Sequence, residues 1–157
     1  MNDFFAGLDV STQGQKIVVI DLQKNSVIYS DSINYDLDLP KYSTLNGVIR
    51  DTENGISESN PKMWIDALHL IFERLKTSSD IIQSIKAISI AGQQHGLVAI
   101  DKDGNLAKPT SKLWNDFSTL EECEILTKEI GGFEQMIHAV ANSQRTGYTA
   151  SKIYHMY

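Results

Sequence analysis

The sequence predicts an α/β domain on a mixed sheet, and three observations carry that reading. Three short runs rich in β-branched and aromatic residues open the chain, a long helical pattern follows, and further apolar runs come after it. Phe4 to Val10 and Lys16 to Leu22 flank a polar stretch containing Gly14 and read as a hairpin. The short Gln23-Lys24-Asn25 turn leads into a third strand over Ser26 to Tyr35, which makes an antiparallel three-stranded meander. From Leu39 to Asn60 no period is sustained, and Pro40, Gly47 and Gly55 interrupt it, so a long loop is expected. Asn60 then caps a helix with Pro61 at its first position. Its apolar face is Trp64, Leu68, Ile71, Phe72 and Leu75, spaced to pack on the sheet. Ile85 to Ala91 and Leu97 to Ile100 are two more strands, so five are expected in all. A loop after Pro109 lasts to Thr119, which caps a helix running toward Gly131-Gly132. Helices over Phe133 to Ala139 and Thr149 to Tyr157 complete the pattern.

Composition narrows the partners. A length of 157 residues suits one domain, and the basic residues that belong to a net charge of -6 are scattered, which argues against nucleic acid. Cys123 is the one cysteine, so no internal disulfide is available and a reducing, cytoplasmic location is expected. No apolar run approaches the roughly 20 residues of a membrane-spanning helix. The sequence leaves oligomeric state open, a homodimer included.

Three constellations carry chemistry. Asp9 ends an apolar strand and is followed by Ser11, Thr12, Gln13 and Gly14. Hydroxyls and backbone N–H groups in such a turn can wrap phosphate oxygens while the carboxylate holds Mg²⁺. An ordinary hairpin with a capping aspartate is the plainer alternative. In Gly92-Gln93-Gln94-His95-Gly96 two glycines flank two amides and an imidazole, directional groups that suit a polyhydroxylated ligand. A histidine that merely satisfies a loop carbonyl is the plainer alternative there. Leu113-Trp114-Asn115-Asp116 offers an aromatic platform with polar neighbours, or else a core anchor.

Taken in order, these segments resemble the N-terminal region of the FGGY family of carbohydrate kinases over nearly the whole chain. Gly7-Leu8-Asp9-Val10-Ser11-Thr12 resembles the family's opening G-[IL]-D-x-[GS]-T, and Gly55 to Pro61 with Trp64 resembles G-W-x-E-x-[DN]-P-x-x-W. Ile88 to Gly96 resembles I-x-I-[SA]-G-Q-x-H-G, Leu113 to Asp116 with Glu122-Cys123 resembles L-W-N-D with a following E-C, and Tyr148 to Lys152 resembles F-T-A-P-K. Ser11 stands where many members have Gly, Ile56 replaces a common Trp, and the loop from Leu39 to Asn54 is longer than in typical bacterial members.

The resemblance implies a ribonuclease H-like, actin-like ATPase fold with ATP and Mg²⁺ as cofactors. Asp9 would serve catalysis by holding the metal, with Ser11, Thr12 and Gln13 at the phosphates. Gln94, His95, Asp116 and Arg145 would serve the sugar. The Gly-Gln-Gln-His-Gly form resembles the xylulokinases, so D-xylulose is the expected substrate, with ribulose, gluconate or glycerol as alternatives. A non-catalytic actin-like nucleotide-binding domain is the alternative from another class. The resemblance also implies that residues 1–157 are the first part of the family's N-terminal domain. The aspartate that takes the hydroxyl proton and the whole C-terminal domain would lie beyond them, so this stretch alone is expected to show no kinase activity.

Overall fold

Strands β1 (Phe4–Val10), β2 (Gly14–Asp21) and β3 (Ser26–Asn34) form the expected antiparallel meander. The computed structural model describes residues 3–49, 55–78 and 80–157. After β3 come a one-turn helix α1 (Tyr35–Asp38), a 3₁₀ turn over Pro40–Tyr42, and a small hairpin of β4 (Thr44–Leu45) and β5 (Val48–Ile49). Then follow β6 (Glu58–Ser59), helix α2 (Pro61–Ser78) and β7 (Ile85–Gly92). Strand β8 (Ser111–Lys112) and helices α3 (Leu120–Glu129), α4 (Phe133–Val140) and α5 (Thr149–Met156) end the chain. Residues Met1–Arg50 with Asn60–Gln93 make one compact unit, and Asp51–Ser59 with Gln94–Tyr157 make a second.

In the first unit the strand order is β3-β2-β1-β7, with β7 parallel to β1. Alternation along the strands sends Phe4, Ala6, Leu8, Ile17, Val19 and Ile33 to one face. Helix α2 covers that face with Met63, Ala67, Ile71 and Leu75, all fully buried. The expected stripe of Trp64, Leu68, Ile71, Phe72 and Leu75 is thus re-centred. Ile71 and Leu75 lie at its middle, while Trp64, Leu68 and Phe72 flank it as partly buried neighbours. The buried row follows i, i+4 steps from Met63 through the small Ala67 to Ile71 and Leu75. Asn60 caps as expected, its side-chain oxygen accepting from the Lys62 amide at 2.9 Å.

Three expectations are corrected. The third strand stops at Asn34, because Asn34 turns its side-chain oxygen to the Leu37 amide and starts α1. The stretch read as an irregular loop holds the β4–β5 hairpin and β6, while its residues 50–54 lie outside the described residues. Leu97 to Ile100 makes no ladder, so the main sheet has four strands among the described residues. Its backbone is taken up locally: Leu97 bridges Lys112 and Ile100 bridges Leu106, around a turn in which the Asp101 carboxylate accepts from the amides of Asp103 and Asn105.

In the second unit β6 pairs antiparallel with β8, Glu58 opposite Lys112 and Ser59 opposite Ser111. Thr119 stands at the start of α3 without capping it. Its hydroxyl bonds the Thr146 carbonyl and the Ser151 hydroxyl, which ties α3 to the start of α5.

Packing of α2 on the meander supplies the core of the first unit. Ile71→Ala is predicted to lower stability by about 2–5 kcal/mol through lost burial and a residual cavity. Ile65→Ala, on the exposed side of the same helix, should change it by no more than about 0.5 kcal/mol. Urea unfolding of both variants checks the contrast, and equal losses would refute the assigned face.

Candidate functional site

The first unit gathers Asp9, near the end of β1, with Ser11, Thr12 and Gln13 in the turn to β2. The Ser11 amide donates to the Gly14 carbonyl at 2.9 Å and closes the turn, and the Ser11 hydroxyl donates to Asp9 Oδ2 at 2.7 Å. Asp9, Ser11 and Gln13 are exposed, and Thr12 is half-buried with its hydroxyl directed to Gln93 Oε1 at 3.3 Å. The Gln93 amide also donates to the Val10 carbonyl, so the end of β7 is laced to the end of β1.

Tyr35, fully buried, holds the turn from below. Its amide donates to the Gln13 carbonyl at 3.1 Å and its hydroxyl to the Ser11 carbonyl at 3.2 Å. Burial pushes the Tyr35 pKa up to about 12, against a hydrogen bond with Gln15 and with help from the Asp9 charge, so it remains a neutral donor. Gly14 lies so close to β3 that a Cβ there would stand 2.2 Å from the Ile33 carbonyl oxygen.

Lys16 was absent from the residues singled out in the sequence, yet it belongs here. It stands opposite Asp9 in the β1–β2 register. With Asp9 it lines two open hollows, of about 260 Å³ beside Ser11, Gln13 and Asn34, and about 300 Å³ beside Gly7, Val18 and Ser89. The signal available in the sequence was the strand alternation, which places positions 9 and 16 on one face of a hairpin.

The second unit presents Gln94 and His95 in an exposed loop. His95 has φ 60°, a left-handed conformation uncommon outside glycine. Its ring lies 4.6 Å from that of Tyr148, and the Arg145 guanidinium sits 5.9 Å from the centre of the same Tyr148 ring. Tyr148 therefore joins His95 and Arg145, though only Arg145 and His95 were singled out beforehand. Trp114 is half-exposed, a platform more than a core anchor.

Asp116 is fully buried and its oxygens are engaged. Oδ2 accepts from the Ser57 amide at 2.8 Å and Oδ1 from the Ser118 hydroxyl at 2.6 Å and amide at 3.1 Å, with the Lys112 ammonium at 3.5 Å. Burial alone would raise its pKa, but the Ser118 and Ser57 donors and the Lys112 charge together hold it below the usual carboxylate value. Asp116 thus anchors the Trp114 loop and offers no free oxygen edge.

Lys152 is the second residue that motif reading undervalued. It is fully buried, and its ammonium donates to three carbonyls, those of His95, Leu113 and Gly147, each at 2.7 Å. Burial lowers its pKa, partly countered by the Asp116 charge. One cation therefore holds the His95 loop, the Trp114 loop and the turn before Tyr148. Gly147 approaches so closely that a Cβ would lie 2.4 Å from the Trp114 carbonyl oxygen.

Two outcomes are expected. Because Asp116 has a lowered folded pKa, its stabilisation is present above the unfolded value of about 3.9 and is lost as pH falls through that value toward the lower folded one. An acid titration should show Asp116→Asn with a flatter stability profile below about pH 4 than the parent. Lys152→Met should cost about 1–3 kcal/mol for each carbonyl left buried and unpaired, read by chemical denaturation.

Residues 4–156 match the family model described as the FGGY family of carbohydrate kinases, N-terminal domain. The chain is 39% identical to a xylulose kinase of Schizosaccharomyces pombe over 95% of its own length and 29% of that protein's. It is 33% identical to a xylulose kinase of Rattus norvegicus over 94% of its length and 32% of the relative's. Its backbone is similar to the crystal structure of a xyloylose kinase from Brucella ovis, with a TM-score of 0.78 at 25% identity, over 96% of this chain and 28% of that one. The chain spans less than a third of the length of these relatives. A mixed sheet opening on an antiparallel meander agrees with these matches: the chain belongs to the FGGY family of carbohydrate kinases.

Proposed function

We propose that the chain is the first part of an ATP-dependent kinase that converts D-xylulose to D-xylulose 5-phosphate. The observation that carries this reading is the exposed polar turn Asp9-Ser11-Thr12-Gln13 on a braced backbone, in a chain whose relatives include xylulose kinases. The residues are apportioned by chemistry. Ser11, Gln13 and the turn's amides would donate to phosphate oxygens, and Lys16 would add a positive charge beside them. Gln94 and His95 would hydrogen-bond sugar hydroxyls, with Arg145 nearby across Tyr148. Asp116 would act by shaping the Trp114 loop.

The donor set suits Mg²⁺ in one specific way. Among the described residues no group of three or more His, Cys, Asp or Glu is placed to hold a metal ion. A single exposed carboxylate such as Asp9 fits a magnesium ion whose remaining ligands are phosphate oxygens and water. Bound there, the ion would neutralise charge on the transferring phosphoryl group. In the transfer the sugar hydroxyl oxygen bonds to the γ-phosphorus, the bond to ADP breaks, and the hydroxyl proton goes to a base. What these residues contribute is position and charge.

No helix among the described residues is long and apolar enough to cross a membrane. The free, buried Cys123 suits a reducing compartment, and the cytoplasm is the location that this reading proposes.

A substrate panel on the intact protein tests the proposal, with D-xylulose expected to exceed ribulose, gluconate and glycerol in kcat/KM. His95→Ala is expected to raise the sugar KM at least about tenfold, or 1.4 kcal/mol, while ATP affinity stays within about twofold. A preference for another polyol would replace the substrate. ATP binding with no sugar effect of His95→Ala would favour a non-catalytic nucleotide-binding domain.

A further inference from the structure

The β4–β5 hairpin is unaccounted for by the reading above, and it touches the turn. Its two-residue tip, Asn46-Gly47, has positive φ at both positions, 54° and 78°. Leu45 and Val48 pair across it. Asn-Gly in this position is a strong two-residue hairpin signal. The tip is held by one carboxylate. Asp36 Oδ2 accepts from the Asn46 amide at 2.6 Å, and Oδ1 accepts from the Gly47 amide at 3.1 Å and the Thr44 hydroxyl at 2.7 Å.

Gly47 is buried and its backbone is pressed on the turn. A Cβ at that position would lie 1.9 Å from the Thr12 carbonyl oxygen, 2.8 Å from its carbonyl carbon and 3.0 Å from Gln13 Cα. The contact falls on the Thr12-Gln13 peptide, whose N–H belongs to the turn amides that the proposed function assigns to phosphate. Asp36 adjoins Tyr35, which bonds the carbonyls of Ser11 and Gln13. Neighbouring residues of α1 therefore hold the turn by two routes, Tyr35 directly and Asp36 through the hairpin tip.

We propose that Asp36 and Gly47 are positioning residues for the turn: the carboxylate locks the hairpin tip, and the tip's bare Cα sets the path of the Thr12-Gln13 peptide. This rests on the reading that the turn takes nucleotide phosphates. Neither residue is among the groups assigned to the ligand, and both act through the turn. Their effect is on the geometry with which the turn's amides meet an anion, and that geometry is stringent because hydrogen bonds weaken steeply off-axis.

Gly47→Ala forces the tip off the turn, and Asp36→Asn is the milder change, since an amide keeps one acceptor and turns a donor toward backbone donors. Both are measured in the intact protein by steady-state kinetics with Mg-ATP and D-xylulose, by calorimetric titration with Mg-ADP, and by thermal melting. Gly47→Ala is expected to raise the ATP KM and the Mg-ADP Kd at least about tenfold, and Asp36→Asn about threefold to tenfold. The sugar KM should stay within about twofold in both. A fall in melting temperature with nucleotide affinity unchanged, or equal losses for both ligands, would overturn the proposal. If Gly47→Ala does not fold, Asp36→Asn decides by the same criteria. Asp9→Ala run alongside separates the two claims. Loss of nucleotide binding there with none in Gly47→Ala and Asp36→Asn rejects only the positioning role, and no loss in Asp9→Ala rejects the phosphate reading itself.

Discussion

One buried ammonium organises the second unit. A lysine removed from water carries a large desolvation penalty, and it is offset only when every donor finds a strong acceptor. Lys152 meets that condition with three carbonyls at 2.7 Å, and the three belong to segments far apart in sequence. The cation therefore does what a small core of apolar contacts does poorly: it specifies the direction of backbone groups. The left-handed conformation of His95 is one result, since its carbonyl is turned inward to Lys152. With the carbonyl inside, the imidazole is left outside, exposed and stacked on Tyr148. Asp116 works in the same way with opposite sign, an anion gathering amides and a hydroxyl beneath Trp114.

The first unit achieves precision by other means. Its core is apolar and one-sided, with α2 on one face of the meander. The turn carrying Asp9 emerges where β1 and β2 end, so its position follows from sheet register. Its conformation follows from Tyr35, Gln93 and the β4–β5 hairpin, none of which lies in the turn itself. An anion bound to such a turn loses little affinity to ordering the chain around it, because the ordering has been done on folding.

Much of this was legible beforehand. The meander, α2 with its Asn60 cap, and the helices near the end follow from alternation, periodicity and caps that are local in sequence. The fate of Leu97 to Ile100 was not, because a short apolar run pairs with whichever partner folding brings to it, and here that partner was residues 106–112. The Asn46-Gly47 hairpin has a local turn signal, but its two-residue strands are too short to show a period of their own amid polar neighbours. The role of Asp116 turned on burial, and that of Lys152 on three remote carbonyls, both of which only tertiary structure reveals. Thr119 shows the converse case: it occupies the cap position, but its hydroxyl had better partners in Thr146 and Ser151.

Path and chemistry at the turn fall to different residues, with Gly14 and the hairpin's Gly47 setting the path. The route of the backbone is set by two residues that bring no side chain, each pressed against a neighbouring carbonyl. Ser11 and Gln13 bring exposed side chains, and the structural duty recorded for them is the bond from the Ser11 hydroxyl to Asp9. Substitution can therefore explore new functional groups at 11 and 13 while the scaffold holds still. The same turn tolerates almost nothing at 14 and 47, where even one methyl group displaces the chain. A loop built this way can change its preferences without being refolded.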